Sequence, residues 1–375
     1  MLAFHLANSH ATRRSAARRG VREPGLNALI RLGWRAQDAA MPPAPGLTLA
    51  RVAAQHRAGY VLHDGNSPFN AQPAPEFLRR GLDPVLRPAV GDFVWVAAGA
   101  PPHILAIEPR RSLLTRAAAG ERYQRQVIAA NVDVVLVLMG LDGDYNPRRI
   151  QRYLALIDGS GATPVVLLTK ADQHPAVASA LAQLGATLPA GTAALALNAK
   201  GPAVTALLAP WLGAGVTAAL VGSSGAGKST LTNTLLGEQR QATAAIRAND
   251  SRGRHTTTHR ALLALPGGAC LIDTPGMREL KLTGEENLDL YADLETLAGN
   301  CRFADCSHGN EPGCAVNAAL ASGELDGERW RSYLKLHDER EQQAAALEQR
   351  LQRKAGAQPT HRTLGRRQRE KPGPR

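Results

Sequence analysis

The stretch that decides the fold runs from residue 222 to residue 230 and reads Gly222-Ser223-Ser224-Gly225-Ala226-Gly227-Lys228-Ser229-Thr230. It fits the pattern G-x-x-x-x-G-K-S/T, directly after an apolar run that predicts a strand and before a stretch that predicts a helix. The glycines let the backbone wrap, so that amide groups point at a β-phosphate beside the helix N-terminus. Lys228 is expected to bridge the β- and γ-phosphates, and Ser229 is expected to ligate Mg²⁺. The stretch therefore predicts a phosphate loop within an α/β domain.

A second motif, Asp273-Thr274-Pro275-Gly276, completes the apolar run that begins at Ala269. Proteins with a phosphate loop place at such a position an acidic residue that holds Mg²⁺ through water, here Asp273. Gly276 would offer its amide to the γ-phosphate. A D-x-x-G pattern alone is typical of a strand followed by a turn, whereas the two motifs together predict a nucleotide switch.

A third motif, Thr169-Lys170-Ala171-Asp172, ends another apolar run and is here called the guanine box. The carboxylate of Asp172 can accept both the N1 and the N2 protons of guanine, a pair of donors that adenine lacks. Lys170 would lay its stem along the base plane, and the backbone of the base loop, Asn198-Ala199-Lys200, would approach the base oxygen. The usual box begins with Asn rather than Thr169, so one contact to the base or to the phosphate loop is altered. Alone, T-K-x-D is typical of an ordinary loop.

Cys301, Cys306, His308 and Cys314 form the pattern C-x₄-C-x-H-x₅-C, which offers soft or borderline metal ligands within a short segment. The set suits one tetrahedral Zn²⁺ ion, and because it fills all the ligand positions we expect a structural site. A disulfide is the alternative. The remaining cysteine, Cys270, lies at the edge of a strand predicted to be buried, and a cytoplasmic chain is in a reducing compartment, so zinc is favoured.

Composition limits the class of protein. A chain of 375 residues is long enough for two or three domains. Apolar residues make up 44%, and no run approaches the ~18 apolar residues that cross a bilayer, which excludes an integral membrane protein. The net charge of +12 and a pI near 10.1 favour a polyanionic partner, although charge alone does not identify it.

The chain begins and ends with basic segments. Residues 1–45 are rich in Arg, Ala and Pro and are assigned to a basic leader or linker in a cytoplasmic protein, with a mitochondrial transit peptide as the alternative. Residues 354–375 form a basic tail, for which a disordered solubilising segment and an RNA-binding arm are both open.

Residues 46–120 contain short β-like runs separated by turn residues, which predict a small barrel of the OB type. The proline-containing segment 66–88 is expected to be a long loop without a clear strand. The predicted strands are Thr48–Ala53, Gly59–His63, Val90–Ala97 and His103–Ile107.

Residues 121–287 alternate between predicted strands and helices. The apolar run Val132–Met139 is of the kind that is buried on both faces of a parallel sheet. Asn146 and Pro147 then have the form of a helix N-cap followed by proline at the first helical position. The alternation predicts a doubly wound α/β domain, and residues 288–353 predict a helical domain around the zinc ligands.

The order of the motifs is unusual. The guanine box and the base loop precede the phosphate loop and D-x-x-G, whereas an ordinary GTPase begins with the phosphate loop and ends with the guanine box. With a β-domain before these motifs and a Cys/His cluster after them, the chain resembles the small-subunit-dependent ribosome-assembly GTPase family (RsgA, also called YjeQ). The resemblance runs from about residue 47 to residue 340. Further stretches that carry it are Val90–Asp92, Pro109–Arg111 with Arg116, Ala130–Asp133 and Gly253–Thr258.

The resemblance implies a multidomain fold with an OB-type β-barrel, a circularly permuted α/β P-loop GTPase domain and a zinc-containing helical domain. It implies hydrolysis of GTP to GDP and phosphate, with Mg²⁺ on the nucleotide, in late maturation of the small ribosomal subunit. Turnover stimulated by ribosomal RNA would be coupled to release from the particle. The implied partners are the small ribosomal subunit, its rRNA and GTP or GDP, and the protein would be a cytoplasmic monomer.

The run Gly253–Thr258 lies between the phosphate loop and D-x-x-G, where a threonine must reach Mg²⁺ and the γ-phosphate. Thr257 is favoured, with Thr256 or Thr258 as alternatives. Ras-like enzymes carry a water-orienting glutamine just after D-x-x-G, but Met277 stands there and cannot hold a water. His255 is the nearest candidate for that role, with a structural or RNA-contacting role as the alternative. This incomplete set predicts slow intrinsic turnover that a partner accelerates.

Two other functions fit parts of the sequence. An ATP-using enzyme with a phosphate loop, such as a kinase, would need no guanine box. An RNA-binding placement factor that holds GTP without hydrolysing it would not need Lys228, Ser229, Asp273 and the threonine run together. Hydrolysis of GTP is therefore favoured.

Overall fold

The structure is a computed structural model, and it describes residues 26–35, 42–56, 58–117, 125–237, 261–273 and 291–356. In this part of the chain no helix is long and apolar enough to cross a membrane. The described residues form a β-barrel, an α/β unit built on a mainly parallel sheet, and a C-terminal group of helices.

The barrel closes in the order β1-β2-β3-β5-β4, with β4 pairing back onto β1. All neighbours are antiparallel except β3 and β5, which run parallel. Inward residues such as Val52, Leu62 and Ile104 are fully buried. This closed barrel of five strands confirms the predicted OB-type architecture. Its strands are β1 (Thr48–His56), β2 (Gly59–His63), β3 (Pro68–Pro73), β4 (Phe93–Ala97) and β5 (His103–Ile107).

The prediction that segment 66–88 lacks a strand was wrong, because β3 lies within it. Its apolar residues Phe69 and Ala71 alternate with the polar Asn70 and Gln72, but this alternation is only four residues long and lies between Pro68 and Pro73. Its pairing with β5 joins Gln72 to His103 and Pro73 to Ile104. This strand is therefore specified by partners distant in sequence.

A hairpin follows the barrel, formed by β6 (Leu113–Ala117) and β7 (Arg125–Ala130). The α/β sheet then has the order β10-β9-β8-β11-β13-β12, parallel throughout except for the antiparallel β12. Its strands are β8 (Val134–Gly140), β9 (Thr163–Thr169), β10 (Ala193–Ala196), β11 (Thr217–Gly222), β12 (Ala261–Ala264) and β13 (Cys270–Asp273).

The helices of this unit are α2 (Pro147–Ile157), α3 (Val177–Gly185), α4 (Val204–Leu208) and α5 (Lys228–Leu236). The first of them begins as the sequence predicts, since the side chain of Asn146 accepts a hydrogen bond from the backbone N–H of Arg149 and Pro147 opens the helix. Its buried face, which includes Ile150 and Leu154, packs against the sheet.

A segment inside the predicted leader is folded. Helix α1 (Leu26–Ile30) precedes a turn, and Leu29, Leu32 and Trp34 are buried in one apolar cluster with barrel residues. The Trp34 ring meets the ring of Phe93 edge-on, with the centroids 4.9 Å apart. Each such side chain contributes about 1.5–3 kcal/mol when fully buried, so this segment is part of the barrel's packing.

The barrel is joined to the sheet through Arg51, whose side chain is fully buried. Its guanidinium donates to the Thr217 hydroxyl at 2.9 Å, to the carbonyl oxygen of Gly91 at 3.1 Å and to that of Leu32. Burial lowers the pKa of Arg51 to about 10. Because Thr217 opens β11, this contact ties the barrel to the strand that leads into the phosphate loop.

The C-terminal helices are α6 (Ala292–Gly299), α7 (Ala315–Ser322) and α8 (Gly327–Gly356). They contact the α/β unit through α2: the hydroxyl of Tyr291 donates to the Gln151 side chain at 3.2 Å, and Arg152 pairs with Glu339 at 2.6 Å. These contacts place α2 between the sheet and the C-terminal helices.

Candidate nucleotide site and metal centre

The sheet brings together motifs that are far apart in sequence. Strand β11, which ends in the phosphate loop, lies between β8 and β13, and β9 follows β8. Parallel strands place their carboxyl ends at one edge, where ligands bind in open α/β sheets. The guanine box after β9, the phosphate loop after β11 and Asp273 at the end of β13 therefore share that edge.

The phosphate loop depends on glycine at its first position. Gly222 has φ +149°, and a Cβ there would lie 2.3 Å from the carbonyl oxygen of Leu138 in the neighbouring strand. The Lys228 ammonium donates to the carbonyl oxygens of Gly222 and Ser223, both at 2.6 Å. Ser224 and Gly225 are exposed at the tip. The lysine thus closes the loop around its own backbone, within reach of any bound phosphate.

The guanine box is tied to the phosphate loop by the residue that departs from the usual pattern. The fully buried Thr169 donates its hydroxyl hydrogen bond to the carbonyl oxygen of Ala226 at 2.8 Å. Lys170 follows with φ +60°, and a short 3₁₀ turn, Ala171–Gln173, presents Asp172 in an exposed position. Thr169 therefore contacts the phosphate loop directly.

The base loop is held from both of its ends. The side chain of Asn198 accepts a hydrogen bond from the backbone N–H of Lys200 at 2.9 Å. The carbonyl oxygen of Ala199, which is buried, accepts from the hydroxyl of Thr234 in α5 at 2.7 Å. The backbone proposed to face the base is therefore coupled to the helix that follows the phosphate loop.

Asp142 and Asp144 were not singled out by sequence reasoning. They lie in the loop that joins β8 to α2, at the same edge of the sheet. Asp142 forms an ion pair with Lys170 of the guanine box, and Asp144 accepts from the Ser223 hydroxyl at 2.7 Å. The signal that could have found them is their position, since each polar group at the end of a central parallel strand lies at this edge.

Hydrogen bonds from residues outside this loop lower both carboxyl pKa values. For Asp142 the main cause is the hydrogen bond from Lys170. For Asp144 the main cause is the hydrogen bond from Arg149, followed by the one from Ser223. Both groups are therefore anionic at neutral pH.

The residues predicted to act on the γ-phosphate are only partly described. His255, Thr257 and Gly276 lie outside the described residues. Ser229 is in the first turn of α5, and the Asp273 side chain ends β13 in a buried position. Hydroxyl and carboxylate oxygens are ligands that Mg²⁺ accepts.

The Cys/His residues come together in a C-terminal metal centre. The ligand atoms of Cys301, Cys306, His308 and Cys314 all lie within 4.8 Å of one another. The Cys301 and Cys314 sulfurs are 3.9 Å apart, and His308 Nδ1 lies 3.5 and 3.6 Å from them. A tetrahedral site with Zn–S bonds of about 2.3 Å requires S···S separations of about 3.8 Å. The donor set and its spacing therefore fit a zinc site.

Neighbouring groups support this cluster. The backbone N–H of Asn317 donates to the Cys314 sulfur at 3.4 Å, and the His308 ring lies edge-on to Trp330 of α8 at a centroid distance of 5.3 Å. The cluster thus joins the loop that carries its ligands to the start of both α7 and α8.

The fold and the site together define a circularly permuted P-loop GTPase, because the guanine box precedes the phosphate loop while the phosphate-loop strand keeps its central position in the sheet. The family model RsgA GTPase matches residues 107–283. The Small ribosomal subunit biogenesis GTPase RsgA of Xanthomonas axonopodis pv. citri (strain 306) is 55% identical over 319 residues, which cover 84% of this chain and 86% of that protein. The chain belongs to the RsgA GTPase family.

Solved structures share the fold. YjeQ from Thermotoga maritima superposes with a TM-score of 0.54 at 22% identity, covering 77% of this chain and 97% of that one. YloQ, described as a circularly permuted GTPase, gives 0.54 at 19% identity, covering 81% and 98%. A second family model, ABC transporter, matches residues 211–368. That stretch contains the phosphate loop, which ATP- and GTP-hydrolysing classes share, but neither the guanine box nor the base loop.

Proposed function

We propose that this GTPase acts in late maturation of the small ribosomal subunit, and that ribosomal RNA stimulates its turnover. Hydrolysis would then be coupled to release from the particle. The observation that carries the nucleotide part is the hydrogen bond between Thr169 and Ala226, because it joins the guanine box to the phosphate loop. The 55% identical relative, a small ribosomal subunit biogenesis GTPase, supports the ribosomal part.

The nucleotide is assigned to the carboxyl edge of the sheet. Asp172 reads the N1 and N2 protons of guanine, Lys170 covers the base plane, and the backbone at Asn198 and Ala199 faces the base oxygen. The amides of the phosphate loop surround the β-phosphate at the start of α5. The exposed position of Asp172 and the tether from Ala199 to Thr234 support this assignment.

Hydrolysis requires in-line attack of water on the γ-phosphate. Lys228 and the loop amides stabilise the charge that develops on the phosphate oxygens, and Gly276 offers a further amide. Ser229, Thr257 and Asp273 are assigned to Mg²⁺, which supplies positive charge to the phosphates when bound. His255 is assigned to orienting the attacking water.

The metal centre is assigned to one structural Zn²⁺ ion. All its ligand positions are filled by Cys301, Cys306, His308 and Cys314, so no position is left for substrate. The ion would hold the start of α7 and α8 as a unit that contacts rRNA. Because this domain directly follows D-x-x-G in the chain, it would move when the D-x-x-G segment shifts with the nucleotide state.

The remaining assignments concern the partner, the division of the chain, its location and its oligomeric state. The net charge of +12 supports a polyanionic partner, here the small ribosomal subunit and its rRNA. We keep the division into residues 1–45, 46–120, 121–287, 288–353 and 354–375, with α1 as a folded part of the first segment. The protein would act in the cytoplasm as a monomer.

The test is GTP turnover by the purified full chain, alone and with small subunits, large subunits or naked RNA. Stimulation specific to small subunits, and lost in Lys228→Ala, is the expected result. Lys335→Ala, a change of an exposed lysine on α8 outside the nucleotide site, is the matched control for lost positive charge in turnover without particles. Equal stimulation by large subunits, or none by any particle, would remove the small subunit from the proposal.

A further inference from the structure

Residues 141–145, here called the acidic loop, join β8 to α2 beside both halves of the nucleotide site. The backbone N–H of Leu141 donates to the carbonyl oxygen of Thr169 at 2.9 Å, which fixes the start of the loop to the guanine box. The backbone N–H of Tyr145 donates to the carbonyl oxygen of Asp142, also at 2.9 Å. The Asp142 carboxylate accepts from the backbone N–H of Asp144 at 3.1 Å. The loop is therefore a defined turn.

The Asp142 side chain faces the base half of the site. Its other carboxylate oxygen accepts from the Lys170 ammonium. The Lys170 backbone is held at φ +60°, so the direction in which its side chain leaves the chain is set. A free lysine side chain has many rotamers, and pairing with a nearby carboxylate reduces them before a ligand arrives. The carboxylate of Asp142 thus holds the residue that would cover the base.

The Asp144 side chain faces the phosphate half. Its carboxylate accepts from the Ser223 hydroxyl at 2.7 Å and from Arg149 at 2.7 and 2.8 Å. Arg149 balances the negative charge, so the carboxylate can stand beside a phosphate site at a reduced electrostatic cost. Ser223 is the second residue of the phosphate loop and is buried. Asp144 therefore connects the phosphate loop, through Ser223, to the first turn of α2, through Arg149.

We infer that Asp142 and Asp144 are positioning residues for guanine nucleotides, with Asp142 acting through Lys170 on the base half and Asp144 acting through Ser223 on the phosphate half. The inference rests on the proposed nucleotide site. Neither carboxylate reads the base itself, which is the role of Asp172. Both residues set the affinity of the ground state, so their loss lowers affinity without changing turnover at saturation.

The experiment measures the Kd of GDP and of IDP, which lacks the 2-amino group, by titration calorimetry on the full chain. Asp142→Asn and Asp144→Asn remove the charge and keep an amide oxygen as acceptor. Each is expected to raise both Kd values about two- to fivefold, as half-exposed ion pairs do, with the ratio of the two unchanged. The kcat at saturating GTP stays at the wild-type value. Asp338→Asn, an exposed carboxylate on α8, is the control.

Double-mutant cycles test the paths. Asp142→Asn is expected to have no further effect in a Lys170→Ala background and its full effect in a Ser223→Ala background. The reverse pattern is expected for Asp144→Asn. An equal effect of Asp142→Asn in both backgrounds would overturn its action through Lys170.

Two further outcomes have distinct meanings. A changed ratio of the GDP and IDP affinities, or unchanged Kd values, would overturn the inference. If the wild-type protein binds GDP no better than IDP or ADP, the proposed guanine site fails instead. Thermal unfolding checks that each variant is folded, and Asp142→Ser, which also keeps an acceptor for the turn, replaces Asp142→Asn if that variant is not.

Discussion

Replacing Thr169 with valine tests how the guanine box is joined to the phosphate loop. The side chain is fully buried, and its hydroxyl donates to the carbonyl oxygen of Ala226 at 2.8 Å. Valine has nearly the same shape and the same branching at Cβ, so the change removes the hydrogen bond while it preserves packing. Loss of one partner of a buried hydrogen bond costs about 1–3 kcal/mol.

This cost is expected to divide between folding and binding. Part of it lowers the free energy of unfolding, by about 0.5–1.5 kcal/mol, because the carbonyl oxygen of Ala226 loses its donor in the folded chain. The rest appears on binding, because a loosened phosphate loop must be ordered again around the nucleotide. A share of 0.7 to 1.4 kcal/mol, as an estimate, corresponds to a rise of about three- to tenfold in the Kd of GDP.

The assays are urea unfolding for stability and titration calorimetry with GDP for affinity. Thr232→Val is a matched control, since Thr232 is also fully buried but its hydroxyl has no hydrogen-bond partner among the described residues. Removing that unsatisfied hydroxyl is expected to leave stability unchanged or to raise it by about 1 kcal/mol. If Thr169→Val costs no more than Thr232→Val in either assay, the tether does not hold the two motifs together.

Three other predictions concern the metal centre, the acidic loop and Gly91, whose carbonyl oxygen accepts from Arg51 where the barrel meets the sheet. Cys314→Ser is expected to abolish the single zinc ion per chain in elemental analysis and to lower the thermal midpoint, whereas Cys270→Ser keeps the metal; retention of zinc by the first variant contradicts the site. The pKa of Asp144 is lowered on folding, so its stabilisation is present above its ordinary value of 3.8 and is lost as pH falls below it. The difference in unfolding free energy between wild type and Asp144→Asn should therefore shrink in acid, and a constant difference from neutral to acid pH would argue against it. Gly91→Ala places a Cβ 2.0 Å from the carbonyl oxygen of Ala130, at a residue with φ +97°. Urea unfolding should therefore show that the free energy of unfolding falls by at least about 3 kcal/mol. A free energy of unfolding close to that of the wild type would refute this crowding.

Local patterns in the sequence were sufficient for much of the fold. The helix start at Asn146 and Pro147 depends on hydrogen bonds within a few residues, so it is readable from residue types alone. Strand β8 is also readable from residue types, because a strand that is buried on both faces is a continuous apolar run. The metal centre was equally accessible, since Cys301 to Cys314 lie close together in sequence and the donor types specify the ligand.

Contacts between distant segments were not accessible. Strand β3 alternates apolar and polar residues only from Phe69 to Gln72, between two prolines, so its pairing with β2 and β5 is what identifies it as a strand. The burial of Leu29 and Trp34 within an Arg-rich leader depends on a barrel surface that only the fold creates. Arg51 looks like an ordinary strand residue in sequence, yet it is fully buried between the barrel and Thr217.

The sequence by itself was sufficient to predict the chemistry of this protein: a phosphate loop, a guanine box before it and a metal-binding cluster after it, because each motif is short and its residue types indicate a ligand. The tertiary structure decided how those parts act on one another. The placement of Thr169 against Ala226, of Asp142 against Lys170 and of Asp144 against Ser223 follows from the strand order at one edge of the sheet. Strand order depends on packing between segments far apart in the chain, and no local pattern encodes it.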